Sequence, residues 1–109
     1  MTQLIELSGP TLNPASGTTA RSLVILLHGV GADGNDLIGL APHFARVLPD
    51  TAFVSPNAPY PCDMAPMGYQ WFSIQTPDPA LRLAEIRQTA DILNRFIDTQ
   101  LATHGLEDD

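Results

Sequence analysis

Five consecutive apolar residues, Leu23 to Leu27, stand between a polar stretch and a glycine-rich one. An unbroken apolar run of this length is the pattern of a strand covered on both faces in a parallel sheet, where neither side meets water. Its C-terminal end is where a site is expected. A second run, "TAFVSP" over Thr51 to Pro56, reads as another strand. Between the two, Leu37, Leu40, Ala41, Phe44, Val47 and Leu48 recur at helical spacing. Gly39 and Pro42 fall inside that pattern. Proline lacks an N–H and crowds the preceding turn, so the regular helix is expected to begin near Leu40, with Asn35 to Ile38 forming a looser turn. Strand, helix, strand is a βαβ unit and predicts an α/β sheet with a right-handed crossover.

The flanking segments follow by the same reading. A first strand is expected near Leu4 to Leu7, followed by "SGPTLNPASGTTARS", whose Gly, Pro, Ser and Asn residues mark a turn or loop. Pro56 to Pro77, rich in proline and aromatic residues, reads as a long irregular segment, a feature that is usually functional or disordered. Asp78 suits an N-cap and Pro79 a first helical turn. They open a helix in which Leu83, Ile86, Ala90, Leu93, Ile97 and Leu101 form an apolar stripe expected to pack on the core, and Gly105 is its natural stop. No internal repeat is present.

Composition narrows the function. The 109 residues, 44% of them apolar, fit one domain over 1–109 with a packed core. Twelve acidic residues against 5 basic ones give a formal net charge of -7, which repels phosphate backbones and anionic membrane surfaces and argues against nucleic acid as a partner. The N-terminus shows no basic, apolar signal pattern and no segment reaches transmembrane length, so membrane insertion is not expected and a cytoplasmic location is. Cys62 is the one cysteine and reads as a reduced loop thiol. His28, His43 and His104 are scattered, and neither a metal nor a cofactor is expected.

Candidate chemistry concentrates in "LVILLHGVGADGNDL". Gly29, Gly31 and Gly34 spell the G-x-G-x-x-G of a dinucleotide-binding turn, yet strand followed by His-Gly-x-Gly also describes a loop that supplies an oxyanion-hole donor in serine hydrolases. A dinucleotide turn wants an acidic residue at the end of the next strand, where Val54, Ser55, Pro56 and Asn57 stand instead, and Asp33 would set a negative charge against the pyrophosphate. For acyl transfer, a turn bracketed by Gly29 and Gly31 leaves the Val30 N–H free to meet an oxygen that develops negative charge. His28, directly before the loop, suits a structural role, its imidazole hydrogen-bonding backbone groups of the turn.

"LHGVGADGNDL", then "PNAP", then "YQWF", then "LAEIRQTADILNRFIDTQLATHGL" together resemble the bacterial phospholipase/carboxylesterase family, which includes the acyl-protein thioesterases. The resemblance runs from about Leu23 to the last residue. It implies a partial α/β-hydrolase fold, a mostly parallel sheet with flanking helices, and cleavage of small carboxylic esters or thioesters by a Ser-Asp-His triad without metal or cofactor. It further implies Val30 as an oxyanion-hole donor, Gly29 and Gly31 beside it in the substrate site, and Trp71 as a wall of the substrate pocket. One departure is large: no G-x-S-x-G occurs, and Ser8, Ser16, Ser22, Ser55 and Ser73 do not sit in a strand-turn-helix elbow. The expectation is therefore the N-terminal portion of a hydrolase that ends before the nucleophile strand, with no triad residue in this chain, partnered by the missing C-terminal half or by self-association. The alternative is a non-catalytic acyl- or ester-binding scaffold that kept the loop and lost the chemistry.

Overall fold

Thr51 to Val54 are all buried, and the rest of the molecule is arranged around them. The computed structural model describes residues 5–64 and 67–107. In chain order the elements are β1 (Thr11–Leu12), β2 (Ser22–Ile25), α1 (Gly34–Ile38), α2 (Ala41–Ala45), β3 (Thr51–Val54), β4 (Tyr60–Pro61), β5 (Tyr69–Gln70) and α3 (Pro79–His104). The main sheet has the order β1-β3-β2. β2 runs parallel to β3, from Ser22 opposite Thr51 to Ile25 opposite Val54, and β1 runs antiparallel on the other side. The predicted βαβ unit is thus present, with α1 and α2 as its crossover.

Side-chain alternation along the strands divides the core in two. Leu23 and Ile25 of β2 and Val54 of β3 face Ile92 and Phe96 of α3. Val24, Leu26 and Phe53 face the opposite way, onto Ala41 and Ala45 of α2. The sheet is therefore sandwiched between helices, the partial α/β-hydrolase arrangement expected from the sequence.

Several local expectations are corrected. Of the strand expected at Leu4 to Leu7, Leu4 lies outside the described residues, and Ile5 to Leu7 form no strand. Sheet pairing falls instead inside the predicted loop, at Thr11–Leu12, because Pro10 lacks an N–H and interrupts the ladder. Before it the chain is held by Leu7 in the core with Ile92 and Phe96, and by the Ser8 and Pro10 carbonyls, which accept from the Asn57 and Ser55 N–H groups, each at 2.9 Å. The Leu23–Leu27 run has helices over both faces but is only half-buried, and Leu27 is exposed, since β2 is the outermost strand in the order. Asn35 to Ile38 belong to a true helical turn, α1.

The helices also bury different residues from those expected. On α2 the small Ala41, one of the expected positions, and Ala45 meet the sheet, while Phe44 and the flanking Leu40, Val47 and Leu48 are exposed. On α3 the buried line is Thr89, Ile92 and Phe96. The expected stripe lies beside it, with Leu93, Ile97 and Leu101 half-buried and Leu83, Ile86 and Ala90 exposed. The ends of α3 are as predicted: Asp78 accepts from the Ala80 N–H, and Gly105 closes the helix at φ 67°. Finally, Pro56–Pro77 is not wholly irregular, because Tyr60–Pro61 and Tyr69–Gln70 pair as an antiparallel hairpin.

Gly34 shows how tightly the crossover is set. A β-carbon there would overlap the Ser55 carbonyl and touch the Pro10 ring. Gly34→Ala is expected to lower the unfolding free energy by about 1–3 kcal/mol, the usual cost of forcing atoms into a packed contact. Gly39 has φ -62° and open space around its Cα, so Gly39→Ala is expected to be neutral or stabilising by up to about 1 kcal/mol. Urea unfolding of both variants checks the contrast.

Candidate active site

The parallel pairing of β2 and β3 delivers His28 to Gly34 and Ser55 to Ala58 to the same edge of the sheet. At this edge His28 is buried, and both its ring nitrogens are engaged. Nδ1 lies 2.7 Å from the Gly29 carbonyl oxygen, and Nε2 accepts the Ala58 N–H at 2.9 Å. The neutral Nδ1–H tautomer satisfies both bonds at once. Neither nitrogen is left to take a proton from a nucleophile, so His28 is a brace between the two strand ends.

The glycine loop itself is a four-residue turn. The Ala32 N–H donates to the Gly29 carbonyl at 3.2 Å, and Gly31, the third residue, has φ 82°. This is the pattern of a type II turn, which needs a glycine at that place. The hairpin fastens the turn from outside: the Gly31 N–H donates to the Tyr69 carbonyl at 3.0 Å, and the Tyr69 N–H to the Ala32 carbonyl at 2.9 Å. Gly68, at φ 88°, lies so close that a β-carbon would overlap the Gly31 carbonyl. Trp71 adds a third tie, its Nε1–H donating to the His28 carbonyl at 2.8 Å. Its own carbonyl is in turn held by the Thr89 hydroxyl of α3.

These bonds separate the predicted site residues. The Gly29 carbonyl and the Gly31 N–H are consumed within the turn and its tie to the hairpin, so Gly31 contributes its left-handed backbone and not a donor. Val30 is exposed, and its N–H donates to no group among the described residues. Trp71 is an anchor and a wall at once. With Leu27, His28, Phe72, Ile86 and Leu93 it lines an apolar cavity of about 300 Å³ that opens beside the loop.

The start of α1 bears on the other reading of the glycines. Gly34 N–H donates to Asn57 Oδ1 at 2.7 Å and Asn35 N–H to Asp33 Oδ1 at 2.9 Å. Asp36 closes a capping box by accepting from the Asp33 N–H at 2.9 Å. The donors that a pyrophosphate would use are taken by the chain's own carboxylates and amide, so the turn is not built for a dinucleotide. Asp33 is a helix cap, legible in the spacing of Asp33 and Asp36. The roles of Asn57, Gly68 and Tyr69 carried no such signal, because each acts on a partner distant in sequence. No serine of the described residues hydrogen-bonds a histidine, and no group of three or more metal-ligating side chains is present among them.

Truncating the brace gives a direct test. His28→Ala strands the buried Ala58 N–H and is expected to cost about 1–3 kcal/mol of stability for that group alone, before any loss of packing. Urea unfolding measures it.

The profile of the phospholipase/carboxylesterase family matches residues 14–108. Among solved structures, esterase PE8 is 44% identical and superposes with a TM-score of 0.84 over 94% of this chain. The match covers 48% of the esterase PE8 chain, so the present chain spans about half its length.

Proposed function

Because the chain belongs to the phospholipase/carboxylesterase family, we propose that its 109 residues form the oxyanion-binding portion of a serine hydrolase acting on small carboxylic esters or thioesters. The observation that carries this reading is the N–H of the exposed residue Val30, which donates to no group among the described residues, in a turn whose neighbouring groups are tied down. A donor fixed in this way pays no reorganisation when the carbonyl oxygen of a tetrahedral intermediate gains charge. The apolar cavity walled by Trp71 and Leu27 takes the acyl part of the substrate.

The attacking hydroxyl and its base lie outside these residues in this reading. Its support is that the hydroxyls of Ser22, Ser55 and Ser73 bond Thr51, Leu26 and Asp63, and that the His28 ring is fully engaged. The open edge of β2 is where a complementary half or a second copy would join the sheet. The chemistry needs no metal or cofactor. The net charge of -7 disfavours nucleic acid, and no helix of the described residues is long and apolar enough to cross a membrane.

Two measurements test the reading. The 109-residue chain alone is expected to hydrolyse a short p-nitrophenyl ester no faster than buffer. Turnover that survives purification would place a nucleophile among these residues and overturn the assignment. In an active enzyme that includes this segment, Val30→Ala keeps the N–H and is expected to be mild. Val30→Pro deletes it at the second place of a type II turn, where proline fits the backbone. The expected loss is about 2.7–4 kcal/mol of transition-state stabilisation, roughly a hundredfold to a thousandfold in kcat. A folded Val30→Pro enzyme with near-normal kcat would show that the loop is structural.

A further inference from the structure

A second cavity, of about 390 Å³, lies between the β4–β5 hairpin and α3 and is lined by Tyr60, Gln70, Phe72, Ser73, Glu85 and Gln88. Gln70 is only 6% exposed. Its Oε1 accepts the Asp63 N–H at 3.1 Å, which determines which end of the amide is which. Its Nε2 donates to no atom among the described residues. Yet none of the fully enclosed side-chain nitrogens and oxygens described lacks a partner, so this nitrogen is not sealed in, and Gln70 is one of the residues that line the cavity. A nearly buried donor beside a cavity takes its acceptor from what fills that cavity, and an oxygen atom on a ligand suits it.

The remaining walls define that ligand's other end. Both oxygens of half-buried Glu85 accept from the Thr76 hydroxyl, at 2.9 and 3.1 Å. The carboxylate accepts from this hydroxyl and forms no ion pair among the described residues. The Arg82 guanidinium bonds the Thr76 carbonyl instead, at 2.6 and 3.2 Å. Two aromatic residues, Tyr60 and Phe72, line the same cavity. Aromatic faces with an unpaired carboxylate attract a cation, and the net charge of -7 raises the local cation concentration.

We propose that this cavity binds a small organic cation: an ammonium or quaternary ammonium group with a hydroxyl or carbonyl oxygen a few bonds away. The cationic head rests against Tyr60, Phe72 and Glu85, and the oxygen accepts from Gln70 Nε2. An anionic ligand is opposed by Glu85, and a purely apolar one leaves Gln70 unsatisfied. The site stands independently of the hydrolase reading, although Phe72 also lines the apolar cavity beside the glycine loop.

The test titrates choline into the 109-residue chain and follows the Gln70 and Gln88 side-chain amides by NMR. Saturable shifts of the Gln70 amide protons are expected. The uncharged isostere of choline, with a tert-butyl group replacing trimethylammonium, is expected to bind at least about tenfold more weakly to the same wild-type chain. Glu85→Gln keeps an acceptor for Thr76 and removes the charge. It is expected to weaken choline about tenfold and to leave the isostere unchanged. Absence of a Gln70 shift, equal binding of choline and its isostere, or choline binding unaffected by Glu85→Gln would each overturn the proposal.

Discussion

The site depends on one imidazole holding two loops together. Parallel strands leave the sheet side by side and their continuations have no ladder to share, so something else must fix the spacing between the glycine turn and the segment after β3. His28 does so by donating to its own turn and accepting from Ala58. A side chain with only a donor or only an acceptor could satisfy one of these bonds and would leave the other group unpaired in the interior. The neutral ring, with one of each at opposite ends, satisfies both. Trp71 then packs against His28, its ring tilted by 35° at 5.5 Å between centroids, while it bonds the backbone carbonyl.

What could be read from the sequence follows from how far each interaction reaches along the chain. The βαβ unit, the caps of α3 and the structural character of His28 rest on patterns within a few residues, and these were legible. Apolar runs marked β2 and β3 but not the exposure of β2: a run such as Leu23–Leu27 is the same whether the neighbouring strand position is filled or open. The helices failed differently. Apolar spacing marks a stripe, but a helix that must come close to a sheet turns its smallest residues inward, so Ala41 and Ala45 displaced Phe44 and Leu48. The hairpin was invisible because its strands are only two residues each, too short for alternation to show.

The exposed apolar residues are unevenly placed. Leu27 lies just beyond the outermost strand, and Ile86 and Leu93 of α3 share a cavity with it. Leu23, Ile25, Ile97 and Leu101 line another cavity along the same strand and helix. The flank of β2 therefore offers backbone groups of a sheet edge together with apolar side chains from the helix above it, the combination that favours addition of a further strand.

The contact between Gly31 and Gly68 has a consequence for how this protein can change. The two residues are distant in sequence, yet each occupies left-handed backbone and one presses on the carbonyl of the other. A side chain at position 68 requires the turn to retreat, and a turn that retreats carries Val30 with it. The hairpin and the glycine turn are accordingly a single unit of variation: an alteration in either is tolerated only when the other moves to accommodate it, so redesign of the hairpin for a new ligand has to begin with the backbone of the turn.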